Sequence, residues 1–191
     1  MTSLFIDTSY LIAVENADDQ YHKTAAKHWR DLLKSPRPLL TSSYVLVEVV
    51  TLLNNRRLHS KAVELGNNLL RSRSFNVVHV DEELFYEAWR YFQKYKDKTY
   101  SLTDCVSFVL MKKLGIAEAL TFDKHFVQAG FGKLPMNCHG SYRVQGEQHD
   151  QQESLCDLAT NVSLLLFQSA TLHAVLSQAF KRRNHVSHDQ D

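Results

Sequence analysis

Short apolar, β-prone runs recur along the first two thirds of the chain: SLFI at 3 to 6, PLLTSS at 38 to 43, FNVVHV at 75 to 80 and EALTF at 118 to 122. Between them, apolar residues return at helical spacing over roughly 20 to 34, 42 to 56, 59 to 72, 81 to 96 and 102 to 114, and Gly115 is placed to stop the last of these helices. Strands alternating with helices predict an α/β fold, a parallel sheet with helices on both faces. After Pro135 the pattern changes. CHGSYRVQGEQHDQQES, 138 to 154, is polar and reads as a linker, so the first domain is expected to occupy 1 to 137.

Beyond the linker, Leu155, Leu158, Val162, Leu165, Leu166, Leu172, Leu176 and Phe180 fall at roughly helical spacing and predict a C-terminal helical extension over 155 to 180, followed by a polar tail from 181 to 191. This helix has no charge between Leu158 and Phe180, which raises the question of a membrane anchor. Asn161, Gln168, His173 and Gln178 make insertion costly, so an amphipathic helix of open role is expected and a membrane anchor is not. The amino terminus, MTSLFIDTSY, meets an Asp before any signal-length apolar stretch, and Cys105, Cys138 and Cys156 form no CxxC pair. Free thiols and a cytoplasmic location are the expectation. The formal charge of +1 carries no strongly basic or acidic block, so the class of partner must be read from local sites.

Four carboxylates stand in informative places. Asp7 follows the run LFI and Asp123 follows ALTF, so each should emerge at the carboxyl end of a strand, the edge at which open parallel sheets bind ligands. Either could equally cap a helix or a turn. Asp104 lies three residues after Ser101, the spacing of a capping box, and shares a helical stripe with Phe108 and Met111 that points it toward the sheet. Glu48 sits inside YVLVEVVTLL, 44 to 53, and its helical neighbours Tyr44, Val45 and Leu52 are apolar. A carboxylate there needs a proton, a cation or a buried ion pair with an Arg from another helix.

An α/β fold can gather two strand-end and two helix carboxylates around one crevice. Such a cluster repels itself, and a hard divalent cation relieves the repulsion while the acids stay ionised. Oxygen ligands without Cys or His at metal-ligand spacing favour Mg²⁺ or Mn²⁺ over zinc. The chemistry that follows is phosphoester hydrolysis. No HExxH pair and no Gly-rich phosphate loop offers a competing site.

FIDTSYL at 5 to 11, SYVLVEVVTLL at 43 to 53, SLTDCVSFVLM at 101 to 111 and LTFDKHF at 120 to 126 occur in an order that resembles the PIN-domain nuclease family over about residues 1 to 137. The resemblance implies a compact PIN-like (Rossmann-like) sheet and an acidic, Mg²⁺-dependent site that cleaves RNA. It also points to the small toxin ribonucleases of bacterial toxin-antitoxin pairs, the VapC-like group. By motif, Asp7, Glu48, Asp104 and Asp123 fall on the family's acidic positions, with Asp7 and Asp104 as direct metal ligands and Glu48 and Asp123 acting directly or through water. Thr8 or Ser9 is implied to help arrange the site, and a small antitoxin protein and a homodimer are implied as partners. Residues 138 to 191 match nothing in that family.

Apart from the four acids, 22 basic residues face 17 acidic ones (21 − 4), a mild surplus that suits RNA. YFQKYKDKTY, 91 to 100, interleaves aromatics with Lys94, Lys96 and Lys98 and is either a phosphate-holding segment or a solvated helix end. His125 is placed either to touch substrate or to pack beside Phe122 and Phe126. Trp29 and Trp89 are assigned to core or interface. Three functions fit: a Mg²⁺-dependent endoribonuclease toxin, the same chemistry in RNA processing without an antitoxin, or a non-catalytic module that binds RNA or a partner. The full acidic set argues against the third.

Overall fold

The computed structural model describes residues 2–72 and 74–136. The expected linker at 138–154, helix at 155–180 and tail at 181–191, with Cys138 and Cys156, lie outside the described residues. Five strands, β1 (Leu4–Ile6), β2 (Leu39–Ser42), β3 (Phe75–Val78), β4 (Glu118–Leu120) and β5 (Gly132–Leu134), make one sheet in the order β3-β2-β1-β4-β5. Every pairing is parallel, with Leu4 opposite Leu39 and Phe5 opposite Ala119. The first four strands fall where the apolar runs predicted them.

Among the described residues, seven helices connect the strands: α1 (Thr8–Glu15), α2 (His22–Lys34), α3 (Ser43–Asn55), α4 (His59–Arg71), α5 (Glu82–Lys94), α6 (Leu102–Lys113) and α7 (Lys124–Gln128). The chain steps from β1 to β2 to β3 in one direction, then crosses to β4 and β5 in the other. Right-handed crossovers therefore place α1 to α4 on one face and α5 to α7 on the other. Side chains agree: Tyr10 and Phe75 pack on Trp29 on the first side, while Phe108, Phe126 and Phe131 cluster against Phe5 on the second. Both centres exclude water, with Phe5, Tyr10, Phe108 and Phe126 fully buried.

The helices end for identifiable reasons. Asp7, Ser42, Asp81, Ser101 and Asp123 each accept a backbone N–H as N-caps. Gly115 terminates α6 with φ of +65°, a conformation that a side chain at this position would strain. Trp29 belongs to the core, whereas Trp89 is exposed on α5 and stacks on Phe92. Cys105 is a buried free thiol. Among the described residues, no helix is long and apolar enough to cross a membrane.

Candidate active site

The strand order reverses between β1 and β4, and at such a switch point two neighbouring strands send their connections to opposite faces and leave a crevice at their carboxyl ends. Asp7 and Asp123 sit at those ends. The Asp7 N–H donates to Leu120 O at 3.0 Å, which brings the first residue after β1 level with the end of β4. Asp7 caps α1, and its Oδ2 takes the Ser9 N–H at 3.2 Å, the Ser9 hydroxyl at 2.6 Å and the Thr121 hydroxyl at 2.8 Å. Ser9 Oγ in turn accepts the Phe122 N–H at 2.9 Å, and Thr121 Oγ1 accepts the Asp123 N–H at 2.9 Å. No described residue donates to the other Asp7 oxygen, Oδ1. Burial pushes the Asp7 carboxyl up to about 6, against the pull of Ser9 and Thr121 and with a further push from the charge of Asp104.

Glu48 reaches the same place from α3. It is half-buried, and the Thr8 hydroxyl donates to its Oε2 at 2.9 Å, with Thr103 as a second hydroxyl partner. Lost hydration raises its pKa first, and the charges of Asp7 and Asp123 raise it further. The buried ion pair with an Arg, one of the readings left open for this residue, is absent among the described residues. His125 is the only basic side chain in ion contact with any of the four acids among the described residues.

Asp104 takes the capping role that its spacing allowed and still lies beside a second acid. It closes a capping box with Ser101, each side chain meeting the other's backbone N–H at 2.7 Å and 3.0 Å, and it is held beside Asp123. Its pKa is raised, by burial first and then by the Asp123 charge. His125 Nδ1 stands 3.5 Å from Asp104 Oδ2 and 3.2 Å from Asp123 Oδ1, buried and without an aligned hydrogen bond. Its Nε2 meets Thr99 Oγ1 at 3.0 Å, and its ring lies edge-on to Tyr100, so Tyr100 rather than Phe122 is its aromatic neighbour. Ligand atoms of Asp104, Asp123 and His125 all lie within 4.8 Å of one another. Crowded carboxylates that lack a lysine or arginine partner among the described residues, two of them with oxygens facing one imidazole, are a donor set that fits a hard divalent cation.

The PIN domain model matches residues 4–132. This chain belongs to the PIN domain family. Its PIN domain is 39% identical over 128 residues to the 23S rRNA-specific endonuclease VapC20 of Mycobacterium tuberculosis, in strains CDC 1551 / Oshkosh and ATCC 25618 / H37Rv alike, covering 67% of this chain and 95% of the relative. The crystal structure of M. tuberculosis VapC20, described as a Sarcin-Ricin loop cleaving toxin, superposes with a TM-score of 0.62 at 38% identity, over 67% of this chain and 95% of that one.

Reading from the residues alone missed several parts of this PIN domain site. Thr121, Thr103 and Thr99 are hydroxyl partners of Asp7, Glu48 and His125, and only Thr121 left a trace, standing two residues before Asp123 as a turn-forming residue. Thr8 and Ser9 both contribute, Thr8 to Glu48 and Ser9 to Asp7. Lys94, Lys96 and Lys98 are exposed at the end of α5 and in the turn that follows, and Thr99 in that turn joins them to the site through His125. Lys94 lies over the Tyr95 ring and Lys98 meets Asp97.

Thr121→Val keeps the volume while removing a donor to Asp7 and the acceptor of the Asp123 N–H. We expect a loss of roughly ten- to a hundredfold in cleavage rate near neutral pH, the size usual for a group that orients a metal-site ligand. The loss should shrink as pH rises, because Asp7 with one donor fewer ionises later. A pH–rate profile checks this, and a uniform loss at every pH would rule it out.

Proposed function

We propose that the chain is a Mg²⁺- or Mn²⁺-dependent endoribonuclease that hydrolyses phosphodiester bonds of ribosomal RNA and acts as the toxin of a toxin-antitoxin pair. The observation that carries this reading is the convergence of Asp7, Glu48, Asp104 and Asp123 at the β1/β4 switch point of a PIN domain, three of them with pKa values raised by burial and mutual repulsion. The relative that matches over 95% of its length is named a 23S rRNA-specific endonuclease, which supplies the substrate class.

Asp7 and Asp104 would hold the cation, with Glu48 and Asp123 binding it directly or through water and His125 Nδ1 facing the Asp104–Asp123 side. The cation, when bound, neutralises charge on the scissile phosphate and lowers the pKa of the attacking water. The chain's own groups prepare that site. Ser9 and Thr121 fix Asp7 through Oδ2 and leave Oδ1 open, Thr8 fixes Glu48, and Ser101 fixes Asp104 through the capping box. These side chains are oriented before substrate arrives, so little reorganisation accompanies the reaction. Lys94, Lys96 and Lys98 offer cationic contacts to flanking phosphates. A small antitoxin protein that blocks the site, and self-association as a homodimer, complete the reading.

Purified full-length chain incubated with ribosomal RNA in Mg²⁺ or Mn²⁺, beside EDTA and beside an Asp7→Asn, Asp104→Asn variant shown to be folded, tests the assignment. A discrete cut that needs the metal and disappears in the variant is expected, as is growth arrest on expression of the wild type alone. Intact RNA with the wild type in both metals would refute the substrate class.

A further inference from the structure

Phe122 lies between Thr121 and Asp123 in sequence, and its N–H is held by Ser9, so its backbone is part of the frame that positions Asp7. Its side chain is buried and runs parallel to two others. Tyr10 lies 5.8 Å away at 10°, and Tyr21 lies 4.4 Å away at 3°, an offset stack with the geometry aromatic rings prefer. Tyr21 is the outer ring, 37% exposed, and belongs to the turn between α1 and α2.

That turn is held firmly. The Tyr21 N–H donates to Asp19 Oδ1 at 2.9 Å, Tyr21 O accepts the Ala25 N–H at 2.8 Å, and His22 Nδ1 meets Ala13 O at 2.8 Å, which ties the start of α2 to α1. The Tyr21 hydroxyl has no hydrogen-bond partner among the described residues, so the stack and the backbone fix the ring. A flat aromatic face joined through Phe122 to the frame of the acids is what a single-stranded nucleic acid can use: an unstacked base has a π-face of its own and regains on protein the stacking it loses in the RNA. Other exposed aromatics, Tyr86, Trp89 and Phe92, also make ring contacts, but these lie within α5.

We infer that Tyr21 is a base-stacking subsite, in which the Tyr21–Phe122 pair receives a nucleobase next to the scissile phosphate and sets how the RNA lies across the acids. The inference rests on the ribonuclease reading above. It assigns Tyr21 to positioning: the ring holds a nucleotide and leaves the reacting atoms to the acids.

The test compares full-length wild type, Tyr21→Phe and Tyr21→Leu for metal-dependent cleavage of ribosomal RNA, with melting temperatures measured for each. Leucine still covers Phe122 but has no π-face. Tyr21→Leu should raise KM by about five- to a hundredfold, as loss of one base stack does, with kcat held within about twofold. Tyr21→Phe should match wild type. In a second measurement, RNA hairpins with 2-aminopurine at single loop positions bind the folded Asp104→Asn chain. One position should change fluorescence on binding that chain, and equally when Tyr21→Phe is added to it, but not when Tyr21→Leu is added. An unchanged KM in Tyr21→Leu beside an active wild type overturns the inference and leaves the ribonuclease reading standing. A fall in kcat alone that tracks a lowered melting temperature overturns it too, since that marks a merely structural cover. A wild type that cuts no RNA removes the ribonuclease reading and the subsite with it.

Discussion

Replacing Asp7 with Asn is expected to abolish RNA cleavage and, in the same molecule, to raise the melting temperature of the metal-free chain. The two effects share one cause. Asp7 is 5% exposed, and its carboxyl is pushed from 3.8 up to about 6 by burial first, so the folded chain holds an anion that the unfolded chain would hydrate freely. With the folded pKa above the unfolded one, this group's contribution to stability is full below pH 3.8 and is lost as pH rises through 6. A shift of this size, at about 1.36 kcal/mol per unit, costs on the order of 3 kcal/mol at pH 8.

Asparagine removes that cost and keeps most of the architecture. It ranks with aspartate as an N-cap, and its side-chain oxygen can take the place of Oδ2 under the Ser9 and Thr121 donors. Its amide is neutral, so the repulsion with the Asp104 charge is removed. We expect a rise on the order of 5–10 °C at pH 8 without metal, shrinking to nothing near pH 4. Cleavage should fall by roughly a thousandfold or more, because a neutral amide cannot replace a carboxylate in holding a divalent cation. Differential scanning fluorimetry in EDTA, run beside the cleavage assay, reads both. A variant that melts below wild type at pH 8 would show that the Asp7 charge is not a burden on the fold.

The parts of this molecule that could be read from its sequence are those with local contrast. Four strands stood out as short apolar runs, and α2, α4 and α5 were visible because each places a polar face opposite an apolar one, whereas α3 and α6 stood out as apolar runs too long for a strand. α1 has no such contrast: Thr8, Tyr10, Leu11, Ile12, Ala13 and Val14 are all buried, so the segment shows no helical period. α7 has five residues and β5 has three, beginning with Gly132, and both are too short for a periodic signal. Glu48 drew notice as a charge in an apolar run, yet Val47 beside it is 65% exposed, so that run is not a buried helix but one whose apolar residues also face outward. The acids could be found because each is costly where it stands. The hydroxyls that orient them could not, since the bond from Thr121 to Asp7 spans 114 positions and exists only once β4 lies beside β1.

The same electrostatics give a second expected result: Mg²⁺ or Mn²⁺ stabilises the chain strongly at pH 8 and weakly at pH 5. Asp7, Glu48 and Asp104 all have folded pKa values above their unfolded ones, so each withdraws stability as pH rises, and each must lose its proton before it can bind a cation. Protons and metal compete for the same oxygens, and the metal gains affinity over the interval in which the bare site loses stability. At a hundred times the dissociation constant the gain is about 2.7 kcal/mol, a shift of several degrees. Two groups outside the site complicate the absolute curve. Glu15 is pushed up to about 7 by burial, against Lys61 and with Glu64, and destabilises in the same direction; His28 is lowered by burial and acts oppositely as pH falls. Neither touches the acids, so the difference between metal and EDTA at each pH isolates the site. Glu15→Gln should flatten the EDTA curve and leave that difference unchanged, whereas Asp7→Asn with Asp104→Asn should erase it. Equal metal stabilisation at pH 5 and pH 8 would mean that the cation binds somewhere other than these carboxylates.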